Sequence, residues 1–318
     1  MAKQLIGGAG KPQPSSTVAV ELIWLLGQPS LGDYLEFVAT KVIGGESRDP
    51  RELVAEWRAA NDLYHRLEQD EAGLADAVAC TPLPKALRKR AAAVERLPWF
   101  RSSFDNLPYE IVEVELDKLI VSQSHVERGA TSALVEALGS DALPKAVFDL
   151  CLPRERALPQ IEVQRLASGR YRFSSPSTDF RAHAPRLTLN SSGADQGVEG
   201  PLFATMSIDL GFGSNMLSGI RSGTRVLLQN GYHRAYALRS LGYRTAFAVV
   251  EDVTRKDELR LTATDDVADD PEFFFAARRP PLLKDFFDPR LAKPLPARAI
   301  YSEIEVEIVV KSHNATRL

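Results

Sequence analysis

RVLLQNGYHRAYALRSLGYRTAFAVVED, residues 225–252, falls into pieces whose order decides the fold. Arg225–Gln229 is a short apolar run that reads as a strand, and Asn230-Gly231 is a turn pair. Tyr232 to Leu241 follows as a helix, and Gly242 supplies its C-terminal stop. Ala246–Val250 is continuously apolar, as in a strand covered on both faces. Strand, short helix and strand predict a compact parallel crossover, and with it an α/β (α+β) protein.

Upstream, Val112, Val114 and Leu116 alternate with Glu113, Glu115 and Asp117, the period of a half-exposed strand. A helix is expected over Ala130–Leu152, then a hairpin of Ile161–Leu166 and Arg170–Phe173 around Ala167-Ser168-Gly169. Residues 174–200, rich in Ser, Pro, Asp and Gly, read as a long loop. The stretch from Val18 to Phe100 reads as helical. Asp49-Pro50 is a helix start, and Leu53, Trp57, Ala60, Leu63, Tyr64 and Leu67 form one apolar stripe behind it. A second helix is expected over Lys85–Arg96. After Asp252 come Asp265, Asp266, Asp269 and Asp270, then Phe273-Phe274-Phe275 and five prolines between 280 and 296. These rings predict an extended arm that buries them on another surface, a route to a homo-oligomer through 273–296. Ile304, Val306, Ile308 and Val310 predict a last strand. The expected domains are a flexible leader at 1–16, a helical N-terminal subdomain at 17–105, a domain at 106–260 with an insertion at about 174–222, and the arm and strand at 261–318.

The chain has 318 residues, 39 basic against 42 acidic side chains, 44% hydrophobic and 25% charged. These proportions exclude wholesale disorder, coiled coil and collagen. A net charge of −3 argues against a surface given over to nucleic acid. Cys80 and Cys151 make no CxxC, and the histidines (65, 125, 183, 233 and 313) include no pair at ligand spacing, so no metal site is expected. The acidic run at 265–270 reads as a solvated segment. With no signal peptide and no long apolar segment, a cytoplasmic protein without a membrane partner is expected.

The sharpest chemistry lies at Asn230-Gly231-Tyr232-His233-Arg234. With Asn230 as cap, Gly231 to His233 present backbone N–H groups at a helix start, where the dipole attracts anions. His233 and Arg234 in that first turn are unfavourable cations by about 0.3–1 kcal/mol unless an anion binds there. A bland alternative pairs Arg234 with Glu251 or Asp252.

Val114-Glu-Leu-Asp-Lys-Leu119 and Gly231-Tyr232-His233-Arg234-Ala235, within residues 109–129 and 224–253, resemble the two motifs of the ParB/sulfiredoxin-like superfamily. The resemblance implies that superfamily's mixed sheet and a Gly-x-x-Arg turn holding the phosphates of ATP or CTP. Asn230, Gly231, Tyr232 and His233 would line those phosphates, Arg234 would make the charge-assisted contact, and Mg²⁺ would arrive with the nucleotide. Sulfiredoxins carry Gly-Cys-His-Arg, and Tyr232 in the place of their nucleophile argues against sulfinic-acid reduction. Partition ParB proteins carry Gly-Glu-Arg-Arg and a following helix-turn-helix, and neither is present. Free-serine kinases of the superfamily use Gly-x-x-Arg without the Cys, which this chain matches.

In the superfamily the segment after the first strand lies near the nucleotide's reactive end. Here it is Ser122-Gln123-Ser124-His125-Val126-Glu127-Arg128-Gly129, which also reads as a plain polar loop. Glu127 is the first candidate base, with His125 second and His233 beside the phosphates. Gly211-Phe-Gly213 reads as a turn, with a lid beside the nucleotide as the alternative. The expected function is nucleotide binding, leading to phosphoryl transfer or hydrolysis. Two other classes stay open. One is a DNA-binding or DNA-processing protein, with Lys85, Arg88, Lys89 and Arg90, or Arg165, Arg170 and Arg172 interleaved with Tyr171 and Phe173, as its contacts. The other is a non-catalytic assembly protein working through the 273–296 arm.

Overall fold

The computed structural model describes residues 18–28, 30–155, 158–177, 179–189, 196–197, 200–201 and 203–312. The leader at 1–16 and His313 lie outside the described residues. In chain order, β1 (Ala19–Leu25), α1 (Leu31–Lys41), α2 (Pro50–Asp70), β2 (Cys80–Pro82), α3 (Lys85–Val94) and α4 (Pro98–Phe104) come first. β3 (Tyr109–Glu115), β4 (Ile120–Val121) and β5 (His125–Glu127) lead into α5 (Arg128–Leu138) and α6 (Pro144–Cys151). A run of strands follows: β6 (Glu162–Ala167), β7 (Arg170–Ser175), β8 (Phe180–Ala182), β9 (Arg186–Leu189), β10 (Gln196–Gly197), β11 (Gly200–Pro201), β12 (Ala204–Ser207) and β13 (Leu210–Phe212). Then come β14 (Ser218–Ser222), β15 (Arg225–Asn230), α7 (Tyr232–Ser240) and β16 (Thr245–Asp252). α8 (Lys256–Thr262), α9 (Asp265–Asp269), α10 (Pro271–Phe275), β17 (Ala292–Arg298) and β18 (Ser302–Glu307) complete the order. The class is mixed α/β.

Two compact units result: a larger one of Thr17–Arg156 with Ser214–Ala299, and a smaller one that contains Ala157–Gly213 and Ile300–Leu318. In the larger unit, six strands form a mixed sheet in the order β2-β3-β16-β14-β15-β4. The elements expected over 225–252 are all present, but they are not a parallel crossover. β14 lies between β15 and β16, antiparallel to the first and parallel to the second. A nine-residue helix rises only about 13 Å, less than the roughly 20 Å of the strand it would have to retrace.

The region read as helical from Val18 to Phe100 opens instead on a strand. β1 is the centre of a three-stranded antiparallel sheet with β17 and β5, and Leu22–Leu26 is buried. A short continuously apolar run fits a doubly covered strand as well as a buried helix, and pairing on both edges decides it. α2 follows its sequence: Asp49 accepts from the Arg51 N–H at 2.8 Å, Pro50 opens the helix, and Leu53, Ala60, Leu63 and Tyr64 are buried. The single helix expected over 130–152 is two, broken at Gly139 (φ 74°) and restarted at Pro144.

The Phe- and Pro-rich arm folds back into its own unit. Phe274, Leu282, Leu283 and Phe286 are core residues, and the arm pairs with the free edge of β4 through Val121 N–H to Pro281 O and Leu283 N–H to Leu119 O. The arm thus buries Phe274 and Phe286 on a surface of its own unit, while Phe273, Phe275 and Phe287 are half-buried. Arg279 locks the arm. Its buried guanidinium donates to Asp285 at 2.5 and 2.6 Å and to Glu71 of the loop after α2 at 2.9 Å, while Lys284 pairs with Glu71 at 2.6 Å.

In the smaller unit β18, β7 and β6 form one sheet, which contains the expected hairpin. The expected long loop is stranded instead, as paired segments β8–β13, β9–β12 and β10–β11. Among the arginines proposed to read bases, Arg170 and Arg172 are engaged by Glu305 at 2.6 and 2.5 Å, and Arg172 also by Glu303 at 3.0 Å. Of the other basic cluster, Arg90 is held by Asp149 through two 2.6 Å bonds. The acidic run is local helix chemistry: Asp265 and Asp266 lie in the first turn of α9, Asp269 pairs with Arg260, and Asp270 caps α10.

Candidate functional site

β15 delivers the chain to Gly231, which has φ 91° and serves as the cap residue of α7. Asn230 is not the cap. It ends β15, and its Oδ1 accepts from the Gly231 N–H at 2.7 Å. A Cβ at residue 231 would lie 2.9 Å from Leu217 Cα, so both the left-handed backbone and the close approach of Leu217, just ahead of β14, require glycine. The first bond of the helix runs from Ala235 N–H to Gly231 O at 2.9 Å. The N–H groups of Tyr232 and His233 lie ahead of that bond, no side chain caps them, and the first turn carries no carboxylate. This end of α7 thus keeps its partial positive charge.

Three further segments converge on it. Tyr232 is buried, and its hydroxyl donates to Leu228 O at 2.5 Å while accepting from the N–H groups of Ser122 at 3.1 Å and Gln123 at 3.3 Å. Burial raises its pKa, so the residue at the sulfiredoxin nucleophile position is a neutral tie between α7 and the 122–123 turn. His233 Nε2 accepts from the Glu127 N–H at 3.0 Å, which places the ring proton on Nδ1. Burial, and then the nearby Arg234 charge, lowers the His233 pKa, so the ring is neutral. The candidate cation at this helix start is therefore uncharged.

His125 pairs across strands with Trp24 and stacks on it, ring centroids 5.4 Å apart and planes within 3°. Burial, then His233, pushes its pKa down to about 4, and its buried Nδ1 has no hydrogen-bond partner. A base with so low a pKa takes protons weakly at neutral pH. Glu127 reaches the site by its backbone, and it is also the cap residue of α5.

Arg234 is 7% exposed. Its Nη1 donates to Cys151 O at 3.0 Å and Asn215 O at 2.5 Å, and Nη2 donates to Asn215 Oδ1 at 2.9 Å. It does not pair with the acids at the end of β16. Asp252 takes Arg221 at 2.5 and 2.8 Å, and the buried Glu251 accepts the Thr262 hydroxyl at 2.5 Å. Asn215 is the residue that sequence reasoning missed as a partner. It holds φ 52°, a left-handed conformation that asparagine tolerates better than most residues, and it presents two oxygens to one guanidinium. The Gly-Ser-Asn run at 213–215 was the available signal.

The structure thus brings 122–127, 215–217 and 230–234 together, all within the larger unit. Among the described residues no group of three His, Cys, Asp or Glu side chains is placed to hold a metal, and no helix is long and apolar enough to cross a membrane. Comparisons with protein-family models, with curated proteins and with solved structures return no match to this chain.

Proposed function

We propose that the chain binds a nucleotide, ATP or CTP with Mg²⁺, through the start of α7, and that its larger unit is a variant of the ParB/sulfiredoxin-like fold. The observation that carries this reading is a helix start behind a left-handed glycine, uncapped by any side chain and free of carboxylates in its first turn. Such an end is a ready receiver of phosphate oxygens. The Tyr232 and His233 N–H groups would hold the phosphates, and Gly231 lets them approach. Arg234 supports this from behind: it adds positive charge to the helix start and fixes the Asn215 segment. Mg²⁺ would arrive with the nucleotide and offset part of its negative charge. If phosphoryl transfer or hydrolysis follows, Glu127 is the first candidate to receive the nucleophile's proton.

Calorimetric titration with MgATP and MgCTP tests the reading. Micromolar binding is expected in the wild type, and Arg234→Ala should weaken it by about ten- to hundred-fold, equivalent to roughly 1.5–3 kcal/mol. No heat with either nucleotide would reduce the turn to a structural device.

A further inference from the structure

α3 buries Leu87, Ala91 and Val94 in the core of the larger unit. Arg88, Ala91 and its cap residue Glu95 follow at spacings of three and four, so they form one stripe with the smallest side chain in the middle. The hollow at Ala91 opens a cavity of about 410 Å³ between α3 and the paired strands β2 and β3. On the sheet side it is lined by Glu110, Ile111 and Val112, three consecutive residues of β3, and by Cys80 of β2. Successive strand residues point to opposite faces, so a space that touches all three lies along the edge of β3.

That edge is open. β2 pairs with Val112–Val114, whereas Tyr109–Ile111 have β16 on one side and, among the described residues, no strand on the other. Glu115 N–H donates to Ala79 O toward β2, and Leu116 N–H donates to Arg244 O toward β16. The odd-numbered backbone groups of β3, those of Ile111 included, therefore face the open side. The charges on the helix wall are uncommitted as well. Arg90 is taken by Asp149, but Arg88 and Glu95 form no ion pair among the described residues. Glu110 already meets Arg221 at 3.2 Å.

We infer that this groove binds a short apolar peptide with free ends, laid as an added strand against β3, its carboxylate on Arg88 and its ammonium group on Glu95. The helix rises about 10.5 Å from Arg88 to Glu95, and three residues of extended chain span about 10 Å. The Ile111 edge supplies main-chain hydrogen bonds, Leu83, Ala91 and Val112 receive side chains, and the two free charges read the ends. A single amino acid is too short to reach both charges, and an internal segment of a protein carries neither end. None of these residues belongs to 122–127, 215–217 or 230–234, so the groove stands or falls separately from the α7 reading.

Labelling of the full chain by N-ethylmaleimide tests the groove, because Cys80 is half-buried in its wall and Cys151, the other thiol, is fully buried. The tripeptide alanyl-valyl-alanine should slow the labelling of Cys80 saturably, with a midpoint below about 1 mM. The same peptide acetylated at one end, or amidated at the other, should need at least about tenfold more. Arg88→Ala should erase the difference between the free and amidated peptides, and Glu95→Gln that between the free and acetylated ones. Ala91→Leu fills the hollow and should abolish protection. If that variant fails to fold, the Arg88 and Glu95 variants on the helix surface carry the test alone. No protection at roughly 5 mM peptide overturns the proposal. Equal protection by a peptide blocked at both ends also overturns it, in favour of an internal segment of a partner protein.

Discussion

Arg279 and Arg234 are both buried guanidinium groups of the larger unit, and they are held in opposite ways. Arg279 lies between the carboxylates of Asp285 and Glu71, whereas Arg234 donates to the oxygens of Cys151 and Asn215. Burial alone would lower the Arg279 pKa, but hydrogen bonds and charge from Asp285, and then Glu71, overcome it and hold the group above its usual range. Its removal leaves the buried Asp285 carboxylate without its counter-ion, while Glu71 keeps Lys284. Removal of Arg234 strands the Cys151 and Asn215 oxygens, which are neutral. The first arrangement fastens segments more than 200 residues apart in the chain, Glu71 to Arg279. The second ties the Asn215 segment to a helix whose first turn carries no acid.

The contrast breaks most easily at Arg279. Arg279→Met should cost roughly 3–5 kcal/mol in urea unfolding, the usual penalty for breaking a buried ion pair from one side. A loss no larger than that of Arg234→Ala would erase the distinction. Acid should reveal the next largest effect. His125 has its pKa pushed down from 6.5 to about 4 by burial and by His233, so the folded state takes up its proton later than the unfolded chain. The stability it contributes is complete above pH 6.5 and is lost as the pH falls toward 4, by up to about 3 kcal/mol. His125→Phe keeps a ring on Trp24 and should flatten that part of the profile of urea midpoint against pH. The smallest effect sharpens the comparison at the helix start. His233→Asp places a carboxylate in the first turn, where a helix-end gain of about 0.3–1 kcal/mol is set against burial and the loss of the Glu127 N–H bond, so the urea midpoint should barely move while MgATP binding is abolished in calorimetry. Unchanged nucleotide affinity in that variant would place the phosphates elsewhere.

Much of the local structure was legible because it depends on neighbours in the chain. Asp49-Pro50 started α2, Gly242 stopped α7, and the strands of the 161–173 hairpin formed as expected. What failed to show depends on partners far along the sequence. β1 is a strand because β17 and β5 lie on both sides of it, and nothing in Leu22–Leu26 names them. The insertion of β14 between β15 and β16 likewise reverses a connection that looks parallel from its own residues. In the candidate site, the glycine turn and the helix start were legible, but the acceptors of Arg234 were not. Backbone oxygens carry no side-chain signature, so Cys151 O and Asn215 O could come only from the fold.

The two-sided pairing of β1 sets an order of events during synthesis. Its β17 partner begins at Ala292, and Leu22 faces Leu295 across the ladder. At roughly 5–20 residues per second, a ribosome needs some 15–50 s after β1 emerges to make that partner. Throughout this interval the segment Leu22-Ile23-Trp24-Leu25-Leu26 lacks one edge of its sheet, and the Ala157–Gly213 stretch of the smaller unit is translated before the larger unit can close. The larger unit therefore completes its fold only after β17 has been made. A nascent polypeptide stalled before Ala292 should remain a client of chaperones and open to proteases.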